Sequence, residues 1–366
     1  MKISFIRFKI FVPIIAAFLL FSTGFAQKDS AKSRQLLVFP IITESIETGW
    51  SFGTIGALVF RPSAKDTISR TSNLELIGLY STKKQLVAVL NGSQYFHNEK
   101  YILNEQFSFS SFPDKFWGLG KNSPDTAVEP YKFKQTYVYL HLLRKVANKL
   151  FIGVLYEKQN VWDISYVPGG LFDKQQVVGR QGYQVDGLGT SLTYDSRNNA
   201  FEPGKGFFGQ LYFNHFDKFW GSYYNYDNLM IDLKAYLPVG YKKVLALELF
   251  SFNNTGNEVP LRSLASFGGA SRMRGYYEGR YKDQNQLVLQ AEYRFPIYKR
   301  FRGVVFGGGG DVGGSFTDYS FSDLKYSYGA GLRFALSQKE KLNLRIDYGI
   351  GQGNNSGFYI QLGEAF

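Results

Sequence analysis

The sequence predicts an all-β protein, a closed barrel of sixteen antiparallel strands that crosses a membrane. Three observations predict it. The chain opens on an export segment, its later runs alternate apolar and polar residues with a period of two, and those runs are even in number and long enough to cross a bilayer as strands.

Residues 1–26 read as a cleaved signal peptide. Lys2, Arg7 and Lys9 form a basic start, 11–21 is an apolar stretch too short to span a membrane as a helix, and Gly24-Phe25-Ala26 ends in small residues where a signal peptidase cuts, so cleavage is expected before Gln27. Residues 27–366 then form one domain. Strands are expected over 35–43, 49–61, 70–80, 84–96, 100–112, 132–145, 149–163, 185–196, 205–216, 223–238, 243–253, 285–296, 301–314, 325–337, 341–352 and 356–366. The alternation is clearest late in the chain. Leu342, Leu344, Ile346, Tyr348 and Ile350 share one face, with Asn343, Arg345 and Asp347 on the other. Leu229, Ile231, Leu233, Ala235 and Leu237 stand likewise against Asn228, Asp232 and Lys234. Such strands place one side in an apolar medium and one side in water. A soluble sandwich gives the same local pattern; export, strand length and the aromatic final residue favour the barrel.

The links alternate in length. Short ones at His97-Asn98-Glu99 and 145–148 suit periplasmic turns, and long ones over 113–131, 164–184 and 254–284 suit the outside, which puts both ends of the chain in the periplasm. Pro40 in the first strand offers no ladder donor, so closure against the last strand is expected to be weak there.

Composition excludes other classes. No later stretch is long and apolar enough for a helical span. The 34 Phe, 26 Tyr and 39 Gly fit interfacial aromatic girdles and twisted strands, and a mean hydropathy of −0.20 fits a barrel whose two faces average out. With no Cys there is no disulfide, lipid-modified cysteine or thiolate metal site. The net charge of +12 falls to about +9 without the export segment; in an exported chain this points away from nucleic acid and toward anionic lipid, lipopolysaccharide or acidic protein partners. His97, His141 and His215 are scattered and no nucleophile motif accompanies them, so neither an enzyme nor a metal or cofactor site is expected.

One loop carries the most specific signal. Phe267-Gly268-Gly269-Ala270-Ser271 precedes Arg272-Met273-Arg274-Gly275-Tyr276-Tyr277. If this loop folds into the lumen, Arg274 needs counter-ions, because an unpaired buried guanidinium is strongly unfavourable. Leu287, Leu289, Ala291, Tyr293 and Phe295 are assigned to lipid, which turns Glu292 inward. With Val304 and Phe306 also assigned to lipid, Asp311 points inward as well, and Gly307 to Gly310 clear room for another backbone. A planar fork of donors suits two carboxylates. Without lumen insertion, Arg274 is a solvated surface residue.

These residues resemble the bacterial surface-antigen family, the outer-membrane barrel domain of BamA/TamA-type assembly and translocation proteins. The resemblance implies that Arg274, Gly275 and Tyr276 form the signature of a long sixth outer loop folded into the lumen, with Arg274 paired to Glu292 and Asp311 on the two following strands. Met273 stands where Val or Ile is usual. Further matches lie in Asp195-Ser196-Arg197 with Phe201-Glu202-Pro203-Gly204-Lys205-Gly206, similar to a periplasmic turn of the family. Phe112-Pro113-Asp114-Lys115-Phe116-Trp117-Gly118-Leu119-Gly120 is similar to an outer-loop segment, placed either at lipid headgroups or packed on itself. The end of the chain, with Gly363 and Phe366, resembles the signal by which barrels are recognised for insertion. The family's amino-terminal POTRA domains have no counterpart in residues 27–34, which implies an accessory subunit, a translocation pore serving a separate partner, or a lipid-perturbing barrel. The resemblance thus implies a non-catalytic barrel of the bacterial outer membrane that takes part in protein assembly or translocation; the alternative is a diffusion pore or a surface-exposed structural protein.

Overall fold

The computed structural model describes residues 34–63, 66, 69–337 and 341–366; the export segment expected over 1–26 lies outside them. The strands in chain order are β1 Arg34–Ser45, β2 Gly49–Phe60, β3 Ser72–Ser81, β4 Leu86–Phe96, β5 Tyr101–Phe116, β6 Glu129–Ala147, β7 Leu150–Ser165, β8 Tyr183–Asp195 and β9 Gly206–Phe216. They continue with β10 Tyr226–Gly240, β11 Lys243–Thr255, β12 Ala265–Phe267, β13 Tyr281–Asp283, β14 Asn285–Tyr298, β15 Phe301–Gly313, β16 Lys325–Ser337, β17 Leu342–Gly351 and β18 Ser356–Leu362. All but β12 and β13 pair antiparallel with their neighbours and close into one sixteen-stranded barrel through β1 and β18; β12 and β13 form a separate two-stranded sheet inside the long loop.

Alternation sorts the side chains. On β14, Leu289 is 58% exposed while Glu292 is fully buried. On β10, Leu233 and Leu237 are exposed outward while Asn228 and Asp232 are buried. The outward apolar belt meets lipid, and the closed ladder satisfies the backbone groups that lipid cannot.

Several boundaries differ from the sequence expectation. β5 and β6 run on past Pro113 in unbroken register to the pair Phe116–Glu129, while β6 meets β7 through a register shift at Lys132/Lys134. They carry an aromatic cap over the outer end. Phe116 packs tilted against Phe172, on the one-turn helix Leu171–Lys174, at 4.7 Å between ring centres, and Tyr131, Phe133, Tyr183 and Phe216 join the cluster. The segment Phe112–Gly120 therefore packs inward on protein, with Phe116 and Trp117 buried. At the other end, the strand expected over 356–366 stops at Leu362. Gly363 turns the chain at φ +83°, and Glu364 enters the lumen mouth.

Candidate functional site

The loop between β11 and β14 descends into the lumen as the β12–β13 hairpin with an irregular tip. Gly268, at φ +106°, lies so close to the Tyr277 carbonyl that any side chain would collide with it. The Gly269 N–H donates to the Tyr276 carbonyl at 3.0 Å and Tyr276 N–H to Met273 at 3.2 Å, which folds 269–276 into a compact turn presenting Arg274 at its apex. Met273 takes a left-handed φ of 49° and is fully buried.

The tip lies backbone against backbone on β17. Gly275 has φ +112°, and a Cβ there would come within 2.8 Å of the Gly351 nitrogen. A Cβ on Gly349 would lie 2.5 Å from the Arg274 carbonyl oxygen, and one on Gly351 2.7 Å from the Tyr276 ring. Glycine on both partners is what allows this approach. The Tyr359 hydroxyl of β18 accepts from the Gly275 N–H at 3.0 Å. The Tyr276 hydroxyl donates to the Tyr326 carbonyl at 3.0 Å and accepts from Gln352 N–H at 2.8 Å, with the ring set edge-on to Phe267 and Tyr281.

Arg274 sits at the centre of a dry charge network. One terminal nitrogen lies 2.5 Å from Glu292 on β14, the other 2.6 Å from Asp347 on β17, and the guanidinium stacks 3.5 Å over the Phe306 ring of β15. Arg333 reaches Asp347 at 2.5 Å and Glu364 at 2.7 Å; Arg294 reaches Glu292 at 2.8 Å and donates to the Phe366 carbonyl at 2.8 Å. Arg345 donates to the Ala270 carbonyl at 3.0 Å. Loop tip, lumen wall and the end of the chain thus share one set of ion pairs, in which every guanidinium is matched by a carboxylate or carbonyl at short range. Asn343 extends it, bonding Glu364 at 2.7 Å and Glu202 at 3.1 Å. Glu202 belongs to the 196–205 turn, where Asp195 and Arg197 pair at 2.9 Å and Asn198 caps Gly204 and Lys205.

Asp311 does not join Arg274. Val304 and Phe306, assigned to lipid from sequence, face the lumen and are buried, while Val305 is exposed. That reversal puts Asp311 on the outward register, opposite Leu287. It also lies five residues beyond Phe306, about 16 Å along the strand. Its side chain is covered at the outer rim, where it accepts from Val312 N–H at 2.9 Å and faces Lys121 at 3.6 Å. Of the glycines before it only Gly310 makes room for the hairpin, since a Cβ there would meet the Phe267 ring at 2.9 Å.

Sequence reasoning did not single out Asp347, Arg333, Arg294, Arg345 or Arg280. The signal was present on β17, where the inward register reads Asn343, Arg345, Asp347, Gly349, Gly351: charge, then bare backbone where the loop tip lands. Arg280 anchors the hairpin outward, pairing with Asp125 at 2.6 Å and bonding Ser123, while Trp117 packs on Tyr277 at 5.1 Å. Among the described residues no group of three or more His, Asp or Glu is placed to hold a metal.

A closed sixteen-stranded barrel with an arginine-tipped loop locked inside its lumen defines a bacterial outer-membrane barrel protein. Residues 156–366 match the Omp85 superfamily domain, more than half of the chain, and the protein belongs to that superfamily. Among solved structures it is similar to BamA from Haemophilus ducreyi lacking POTRA domains 1–3, at 14% identity and a TM-score of 0.59 over 90% of this chain and 70% of that one. It is also similar to CdiB from Acinetobacter baumannii (11% identity, TM-score 0.58, 92% of this chain and 60% of that one). CdiB from Escherichia coli matches at 12% identity and a TM-score of 0.59, over 92% of this chain and 68% of that one. At these identities the likeness is one of fold. No curated protein matches the sequence.

Proposed function

We propose that this barrel is a non-catalytic component of outer-membrane protein assembly or polypeptide translocation, acting as an accessory subunit with protein partners, and that the free edge of β1 receives the incoming strand. The observation that carries this reading is the seam. β1 and β18 share one registered pair, Glu44 with Ile360, whereas β1 pairs with β2 along its whole length. In that register Leu362, the last residue of β18, falls opposite Ile42. Gly363 then turns the chain into the lumen, so, among the described residues, 34–41 have no strand beside them on the β18 side. Leu36 is 69% exposed and Val38 60%. An unpaired edge in hydrocarbon is costly, since its N–H and C=O groups find no water there, and a strand added to it satisfies both chains at once. Pro40 lies near the outer limit of this stretch and limits how far a ladder can propagate.

The lumen supports this reading over a diffusion pore, because the loop tip and its ion pairs occupy it. Lipid and lipopolysaccharide surround the outward belt, and Gly363 and Phe366 belong to the signal by which the chain itself is inserted.

The test is photo-crosslinking in cells from single positions in β1. Probes at Leu36 and Val38 are expected to capture β-rich exported polypeptides, whereas a probe at the outward-facing, exposed Leu192, on a fully paired strand, captures none. Equal or absent protein capture at the two places would overturn the proposal.

A further inference from the structure

The barrel end opposite the long loop carries a charged aromatic groove that the lumen network does not use. A register shift between Pro296 and Tyr298 ends β14, and the two-residue turn Lys299-Arg300, with Lys299 at φ +47°, leads into β15. Tyr298 and Phe301 are both exposed, Lys299 Nζ lies 5.0 Å over the Tyr298 ring, and Phe301 packs on Phe334 of β16 at 5.1 Å between ring centres. Together Tyr298, Lys299, Arg300, Phe301 and Phe334 line a groove of about 460 Å³.

Among the described residues its charge has no carboxylate partner. Several described carboxylates at this end are held by other cations: Glu99 by Arg70, Asp195 by Arg197, Glu202 by Arg302 and Glu364 by Arg333. Neither Lys299 nor Arg300 makes an ion pair among the described residues. Two cations without a described carboxylate partner sit at the rim of an apolar wall, and that wall is continuous with the lipid-facing column of Ile297, Phe301 and Val305, all exposed. A soluble acidic peptide would use the cations and leave the aromatic wall in lipid. A zwitterionic headgroup would bring a second cation against Lys299 and Arg300. A lipid with net negative charge uses both parts of the groove: phosphate on the cations, and the glycerol and upper acyl segments on the rings.

We propose that this groove binds the headgroup of an anionic phospholipid from the membrane leaflet at the end where β1 begins.

The experiment uses the full chain, folded in uncharged detergent, with phosphatidylglycerol or phosphatidylcholine of the same acyl chains added and bound lipid counted by native mass spectrometry. The wild type is expected to retain phosphatidylglycerol in preference to phosphatidylcholine. Lys299→Gln with Arg300→Gln should cut that retention on the order of tenfold, as expected for removing two cations from a headgroup site. Inorganic phosphate should not displace the lipid, because it cannot use the ring wall. Equal retention of the two lipids, unchanged retention by the double variant, or displacement by phosphate or an acidic hexapeptide would each overturn the proposal. Should the double variant fail to fold, the wild-type comparison and the competition still decide it.

Discussion

Arg274 and Asp347, 73 residues apart in the chain, meet at 2.6 Å in the lumen, and the same guanidinium reaches Glu292 at 2.5 Å. The two carboxylates stand on β14 and β17, which are not neighbours: β15 and β16 lie between them. Arg274 therefore ties the wall together across two intervening strands and fixes the loop tip to the part of the barrel that leads to the seam. Exclusion from water raises the stakes of each pair, because a buried charge deprived of its partner is far less favourable than an exposed one.

The contact between Gly275 and β17 gives a prediction that needs no charge. Gly275→Ala places a Cβ at φ +112° and 2.8 Å from the Gly351 nitrogen, and Gly349→Val pushes into the Arg274 carbonyl. Each should destabilise the docked loop by about 1–3 kcal/mol or more, since only glycine takes such a backbone conformation freely. Protease nicking within 256–284 of the folded barrel should rise in both variants. Gly56→Ala, with open space around its Cα, should change nothing.

A second prediction concerns the lumen itself. Single-channel recording should show small, infrequent conductance in the wild type, since the hairpin and its ion pairs lie in the path. Deleting 268–278 should produce a stable open pore. Large, steady conductance in the unaltered chain would favour the diffusion pore.

Much of this was legible in the sequence, and the missing parts have physical reasons. Period-two alternation located all sixteen barrel strands, because one face in lipid and one in a polar lumen leaves that mark wherever both faces are populated. On β15 the rule misled: Gly307 to Gly310 carry no side chains, so the register could not be followed through them, and Val304 and Phe306 were placed on the wrong face. Asp311 followed them. Glu292 sat within a clean alternating run and was oriented correctly. The β12–β13 hairpin was invisible because three-residue strands leave no period, and the pairing of Arg274 with Asp347 is a long-range fact that local pattern does not carry.

The outer clasp between Arg280 and Asp125 makes a pH-dependent prediction. Burial raises the affinity of Asp125 for a proton, but the bonds and charge of Arg280 outweigh it and hold the carboxyl below its usual range. A carboxylate depressed in the folded state stabilises fully above its unfolded value of about 3.9 and loses that contribution as pH falls through the folded value. Because Asp125 is 46% exposed, the contribution is small, under about 1 kcal/mol. Acid-protease cleavage within 117–128 should therefore stay low from pH 5 to 4 and rise only below it. Asp125→Asn should be cleaved at the same raised rate across that whole range.

The most direct test of the lumen lock is a double-mutant cycle on the folded barrel, read by urea unfolding in micelles. Arg274→Ala and Asp347→Ala should each cost about 3–5 kcal/mol. They should couple by about 1–3 kcal/mol, as residues in one ion-pair network do. Arg274→Ala with Asp311→Ala should be additive to within about 0.5 kcal/mol, as distant sites are. Additive behaviour of Arg274 and Asp347, or strong coupling of Arg274 to Asp311, would contradict the lock described here.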